Sequence, residues 1–490
     1  MLHNLGGGKR PIGLLLSVLL ASSLLISSPA TALTGQTAPA APSAAGVLQP
    51  LYLNNGFGRD AETQRVFSWE TTTDYSNATV DIVAGGMPFK PENIRTFTGT
   101  TAKVPLAAGV TARNEQHVTV TGLEPGQSYD YRLGDTTTSA GSVSRYYSAT
   151  YHFTTEPSAA EPFTFIHFAD SQGDTSSYTK YWGNTVSKAL TKLPDAAFII
   201  DTGDMTDPHA PAQIDATAIA HWDAFFNAVG AGFSGPAFLP VLGNHEGSAA
   251  SPVSFYQSVF PVGSQEGCPV SGYPLNYAYT YGNALFLELN SNYTSGADLT
   301  KQIAWIRSVA AGVGAGKVII AAFHKGPYGE LHSGDADVAA IKNSLVPVLE
   351  EVGVSLVLQG HDHQYYRSFP IKGGKPNTSV AGNLICTATD GAVFMCTGTS
   401  GQKTHAMYKK AWISKYWDPT TQGGNATQDT YSAITVDGDR ISVNVYNTGD
   451  QLVDSYTILA SANKNGARAG DIPGEVVIGP RPSIAARNPA

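Results

Sequence analysis

The sequence predicts an α/β domain preceded by a smaller all-β sandwich, and three observations carry that reading. Between residues 48 and 155, short alternating apolar segments are split by turn residues. From Phe163 onward the grammar becomes strand, loop, helix. Most strands of that second part end in a residue able to bind a metal.

The chain starts with Lys9 and Arg10, the apolar run "PIGLLLSVLLASSLLIS" and the small residues "ATA". That order predicts a signal peptide over 1–32. The run is shorter than the about 20 apolar residues a membrane span needs, so no transmembrane segment is expected in the mature chain. A secreted, extracellular product cleaved near Ala32 follows. Residues 33–47, "TGQTAPAAPSAAG" and its flank, are Ala/Pro/Ser-rich and form a linker.

Residues 48–157 hold "RVFSWET", "ATVDIVA", "QHVTVTGL", "YDYRLGD" and "ATYHFTTEP". Such spacing argues an antiparallel sandwich of fibronectin type III or immunoglobulin kind, a packing domain without chemistry. Residues 158–460 follow. "FTFIHFAD", "AAFIIDTGD", "AFLPVLGNHE", "ALFLELNSN", "KVIIAAFHK" and "VSLVLQGHDH" are β-branched and apolar, as strands covered on both faces must be. Helices are expected over 178–193, 215–229, 299–310 and 338–352. "YSAITVDGDRISVNVYNTGDQLVDSYTI" alternates again and closes a sheet as a hairpin. The tail 461–490 is Gly/Ala/Pro-rich.

Composition sets limits. The 490 residues suit two or three domains, and 42% hydrophobic residues give a large core. Charged residues are 14%, well under the roughly 25% of average proteins, as in exported strand- and loop-rich chains. A net charge of −9 with no basic run excludes a phosphate-backbone surface, so no nucleic-acid partner is expected. Of the three cysteines, Cys386 and Cys396 are the preferred disulfide in an oxidising compartment, with a pairing to Cys268 the alternative.

The strand ends place Asp170, Asp204, Asn244, His324, His361 and His363 where residues distant in sequence converge, at the carboxyl edge of a sheet. Glycine sits beside the donor in "TGD", "LGNHE" and "QGHDH", letting the backbone turn sharply. Carboxylates, an amide and imidazoles form a mixed O/N set suited to Mn, Fe, Zn or Mg. Two ions sharing one carboxylate, about 4 Å apart, can activate water for phosphoryl transfer.

"D-S-Q", "GDMTD", "GNHE", the lone His324 and "GHDH" resemble, in order and spacing, the calcineurin-like metallophosphoesterase superfamily. The leading β module, "GHDHQYYRS" and the closing "VNVYNTGDQLVDSYTI" look like its purple acid phosphatase branch. The resemblance implies a β-sandwich of mixed sheets flanked by helices, with a dimetal site on one edge. It implies one ion held by Asp170, Asp204 and His363, and a second by Asp204, Asn244, His324 and His361. His245 would face the phosphate and serve the leaving group. The cofactors implied are two divalent or mixed-valence ions, Fe, Mn or Zn.

This chain departs from the family twice. Asp207 stands where purple acid phosphatases carry the tyrosine whose phenolate binds ferric iron, so no purple charge-transfer band is expected. In the wider superfamily the aspartate there pairs with the "GNH" histidine, which predicts an Asp207 carboxylate that orients His245 and raises its pKa. Gln172 stands where a metal-binding histidine is usual; its oxygen remains a weaker ligand or a second-layer group.

Other residues carry less. His332 and Arg367 are read with Asn244 and His245 as substrate-binding, with exposed-loop and structural roles as their alternatives. Glu246 or Asp362 would orient an imidazole. His167, His221 and Trp222 are packing residues. The resulting function is a secreted dimetal phosphoesterase acting on small phosphate monoesters. The alternatives are a phosphodiesterase or nucleotidase using the same site, and a non-catalytic extracellular adhesion protein.

Overall fold

The computed structural model describes residues 46–460, apart from 212, 248–252, 261, 263–274, 381 and 419–428. The leader, the tail and Cys268 therefore lie outside the described residues.

The first part is all β. A six-stranded sheet contains Thr79–Ala84, Ser128–Ser139 and Tyr151–Thr154, and a four-stranded sheet contains Leu51–Phe57, Arg65–Thr71 and Asn114–Val120. Residues at alternating positions of both sheets meet in one core: Phe67 and Trp69 from one, Val80, Ile82 and Tyr131 from the other.

The second part has two seven-stranded mixed sheets. One pairs Phe163–Phe168, Phe198–Asp201 and Ala237–Pro240 in parallel, then continues antiparallel through Thr430–Asp437, Arg440–Asn447 and Leu452–Leu459. The other runs parallel through Ala284–Glu288, Val318–Ala322, Val354–Gln359 and Val393–Thr397. Period-two alternation divides each strand of the second sheet between two cores. Phe286, Ile320 and Leu356 face the first sheet, where Phe165 and Phe198 meet the Phe286 ring edge-on. Leu287, Ile319 and Val357 face helices Gly296–Ala311 and Ala336–Glu351. Val186 and Ala189 bring Asn184–Lys192, and Phe225 and Phe226 bring Ala216–Val229, onto the first core. The expected strands and helices are present. The expected hairpin near the C-terminus is a three-stranded meander.

The all-β part is packed against the rest through strand Leu51–Phe57, which sequence alternation alone did not reveal. Its Asn54 and Asn55 side chains are buried, donating to the carbonyls of Val259 and Phe233 at 2.9 Å each. Tyr52 donates to Asp223 at 2.7 Å, and Arg113 pairs with the same carboxylate at 2.9 Å.

One expectation is corrected here. Cys386 and Cys396 do not bridge to each other: Cys386 ends strand Leu384–Cys386 of the first sheet, and Cys396 lies within Val393–Thr397 of the second. A short helix, Thr387–Asp390, separates them. Among the described residues no helix is long and apolar enough to cross a membrane.

Candidate metal centre

Parallel strands from both sheets end along one edge and supply the candidate donors. Phe163–Phe168 leads to Asp170, Phe198–Asp201 to Asp204, and Ala237–Pro240 to Asn244 and His245. Val318–Ala322 leads to His324 and Val354–Gln359 to His361 and His363. Asp170, Asp204, His361 and His363 all hold positive φ, between 52° and 77°, although none is glycine. Such backbone costs on the order of 1–3 kcal/mol per residue and gathers where function demands a particular aim.

Glycines permit the close approach. A Cβ on Gly360 would come within 2.9 Å of Asp170 Oδ2 and 3.1 Å of His324 Nδ1. One on Gly243 would strike the backbone nitrogen of Asp204.

Besides a group of His332, Asp335 and His361, two donor triads result, each with its atoms within 4.8 Å of one another: Asp204, His324 and His361, and Asp170, Asp204 and His363. Asp204 belongs to both. His324 Nδ1 donates to the Thr202 carbonyl at 2.8 Å, which turns Nε2 inward to 3.0 Å from both Asp204 Oδ2 and Asn244 Oδ1. Burial alone would lower the His324 pKa; the Asp204 carboxylate reverses this and carries it to about 9. Burial would conversely raise Asp204, but His324, with His245 and His361, holds it below the usual carboxylate range. His361 donates its backbone N–H to Asp170 at 2.9 Å, and burial pushes its imidazole well down.

On the other side, His363 Nε2 lies 3.5 Å from Asp170 Oδ1 and 2.9 Å from the Gln172 amide nitrogen. Burial depresses His363 to about 3. Gln172 Oε1 and His363 Nδ1 are buried without a hydrogen-bond partner. A buried amide oxygen beside two carboxylates and an inward imidazole, next to a second triad, fits a pair of divalent ions.

Glu246 does not orient an imidazole. Its carboxylate is buried and accepts backbone N–H groups from Asp204 at 2.8 Å, Met205 at 2.7 Å and Gly243 at 3.1 Å, clasping the "GDMTD" and "GNHE" loops together. Asp362 acts alike, accepting from the backbone of Glu330 at 2.6 Å and His332 at 3.1 Å.

The expected Asp207–His245 carboxylate pair is also corrected. His245 Nδ1 donates to the backbone carbonyl of Asp207, whose carboxylate instead meets Lys403. The short "GDMTD" turn brings the Asp207 main chain, not its side chain, beneath the ring. Burial pushes the His245 imidazole below its ordinary value, with Asp204 pulling the other way, so the expected rise does not occur. His245 Nε2 points inward, 3.7 Å from Asp204 Oδ2. Arg367 is removed from the site: it is buried, pairs with Asp454 at 2.9 Å and lies over the Tyr456 ring. His332 is at the site, its ring 4.1 Å from that of His361 and its Nδ1 2.9 Å from Asp335. His167 is a core residue as read, 3.0 Å from Thr202 Oγ1.

Four residues at the centre escaped the sequence reading. His209 stacks on His245 at 4.0 Å, His405 packs on His363 at 4.6 Å, and Lys403 meets Asp207. Asn292 pins the "GNHE" loop, donating to the carbonyls of Gly243 at 3.0 Å and Gly247 at 2.8 Å. None was singled out as a donor, although Asn292 closes the quoted strand stretch "ALFLELNSN".

Residues 163–365 match the calcineurin-like phosphoesterase family, and residues 50–155 match the purple acid phosphatase N-terminal domain. A solved purple acid phosphatase from yellow lupin (Lupinus luteus) seeds has a similar fold, with a TM-score of 0.67 at 17% identity over 84% of this chain and 74% of that one. Two uncharacterized proteins, from two strains of Mycobacterium tuberculosis, are each 24% identical over 355 residues, 65% of this chain. The chain spans 62% of the length of those curated relatives. Two consecutive stretches of the chain thus match a purple acid phosphatase N-terminal domain and a calcineurin-like phosphoesterase domain, in the order in which the two folded parts follow one another.

Proposed function

We propose that the protein is an exported phosphoesterase that hydrolyses small phosphate monoesters at a dimetal centre. The observation that carries this reading is the pair of donor triads sharing Asp204. Asp170, Asp204 and His363, with Gln172 beside them, would hold one ion. Asp204, Asn244, His324 and His361 would hold the other. Mixed carboxylate, amide and imidazole donors suit Fe, Mn or Zn. With no tyrosine among them, a colourless centre is expected. When bound, two such ions supply an activated water and neutralise phosphoryl charge.

The chain's own residues do the rest. His245, its Nδ1 fixed on the Asp207 carbonyl, aims Nε2 at the space over Asp204, where it would donate to a phosphoryl oxygen or to the leaving group. Asn244 and His332 flank that space from the second triad's side. Export is supported by the charged-then-apolar leader ending in "ATA".

The test is hydrolysis of an aryl phosphate monoester and a bis-aryl diester by pure protein loaded with Mn, Zn, Fe or Mg. Turnover of the monoester above the diester supports the reading. Absence of turnover of both under every metal overturns it.

A further inference from the structure

The segment that follows strand Val393–Thr397 reaches the centre through Lys403 and His405. That segment is fixed against the loop carrying Asp170 and Gln172. Gln402 N donates to the Gln172 carbonyl at 3.3 Å, and Asp174 N donates to Gln402 Oε1 at 2.8 Å. A Cβ on Gly401 would come within 2.8 Å of Ser171 Cα, so the two stretches touch backbone to backbone. The next residue is Lys403. Its ammonium rests on the carboxylate of Asp207, whose carbonyl holds His245. Two residues on, His405 packs on His363. Lys403 is thus joined to the imidazole that faces the reacting group through Asp207, and lies two residues before the ring that packs on an imidazole of the first triad. Its side chain keeps 40% of its surface in solvent.

An ammonium has three N–H donors, and Asp207 occupies one side of it. A phosphate monoester brings two negative charges to such a group and a diester one, so the attraction is greater for the monoester.

We propose that Lys403 is a phosphate-binding residue that donates to a non-bridging oxygen of the substrate's phosphoryl group. Asp207 is its positioning residue, and the added cation favours monoester dianions over diester monoanions. This rests on the phosphoesterase reading of the centre and adds a residue and a selectivity to it.

The experiment compares the metal-loaded full chain with Lys403→Met and Lys403→Arg. It reads kcat and KM for an aryl monoester and a bis-aryl diester, and the Kd of inorganic phosphate by calorimetry. Lys403→Met should raise monoester KM and phosphate Kd about tenfold, with kcat within about threefold and diester KM within about twofold. Lys403→Arg should recover most of the loss, and Lys403→Gln serves if the Met variant does not fold. A phosphate Kd within about twofold of the parent, or equal rises in monoester and diester KM, overturns the proposal while leaving the phosphoesterase intact. A parent protein that hydrolyses neither ester overturns the reading beneath it.

Discussion

The two donor triads share a carboxylate but are held very differently. Around the second, His324 is locked by the Thr202 carbonyl, and Asn244 lies on a loop pinned by Asn292. Asp204 has its backbone clasped by Glu246. Around the first, a glutamine replaces an imidazole, and both Gln172 Oε1 and His363 Nδ1 are buried without a partner. The second half is pre-organised by the fold, whereas the first half depends on what it binds. Affinity is therefore expected to be unequal, with the second subsite filling first.

Breaking the organised half should cost most. His324→Ala removes an inward donor and leaves Asp204 without its imidazole partner at 3.0 Å. Asp204 belongs to both triads, so metal content by elemental analysis should fall at both subsites and kcat/KM by about 10³-fold or more. Retention of both metals would show that the halves do not depend on each other. Glu246→Ala comes next. It removes a buried acceptor of several backbone N–H groups and leaves those donors unsatisfied, at about 1–3 kcal/mol for each. A clear fall in melting temperature and a 10- to 100-fold loss of turnover are expected.

The diluted half should respond in the opposite direction to repair. Gln172→His places an imidazole beside Asp170 and His363, and is expected to tighten the weaker metal about tenfold in a chelator titration. Gln172→Ala should loosen it. An unchanged titration in both would take Gln172 out of the metal's reach.

Protons compete at the organised half. With metal removed, His324 has a pKa of about 9 against an ordinary value of 6.5. A raised histidine contributes stability that is full below the unfolded value and lost as pH climbs through the folded one. Metal-free protein should thus lose melting temperature between pH 6.5 and 9, the window those values define. Metal-loaded protein, whose His324 would be a ligand, should lose much less. Equal slopes would separate His324 from the metal.

What was legible in the sequence tracks this same division. Donors at strand ends were readable because a buried β-branched strand, a glycine and a polar residue recur as a local pattern, and the structure brings all six of them together, with Gln172 and His245. Partnerships between distant segments were not readable. Asp207 and Lys403 are 196 residues apart, and only the packing of residues 401 and 402 against 171–174 sets them side by side. Glu246 was noticed for its position beside His245, yet its partners are backbone amides, which no side-chain pattern displays. Arg367 follows a ligand motif closely, but strand Tyr365–Ser368 turns it toward Asp454 in the interior. Strand Leu51–Phe57 was hidden because its buried asparagines serve a packing face rather than an alternating one.

The smallest effect is expected at Asp207, and its smallness is informative. A carboxylate that oriented and charged His245 would make Asp207→Asn costly in turnover. Here the group beneath the ring is the main-chain carbonyl, which asparagine retains. Metal content should stay at the parent level and kcat within about threefold, because no group touching His245 or the donors changes. What the substitution does remove is the negative charge facing Lys403, a partly exposed pair of modest strength. KM for a monoester should therefore rise by only about two- to threefold, as the ammonium loses its anchor but not its charge. A fall of tenfold or more in kcat, with metals retained, would return the carboxylate to His245 and make the pairing with Lys403 secondary.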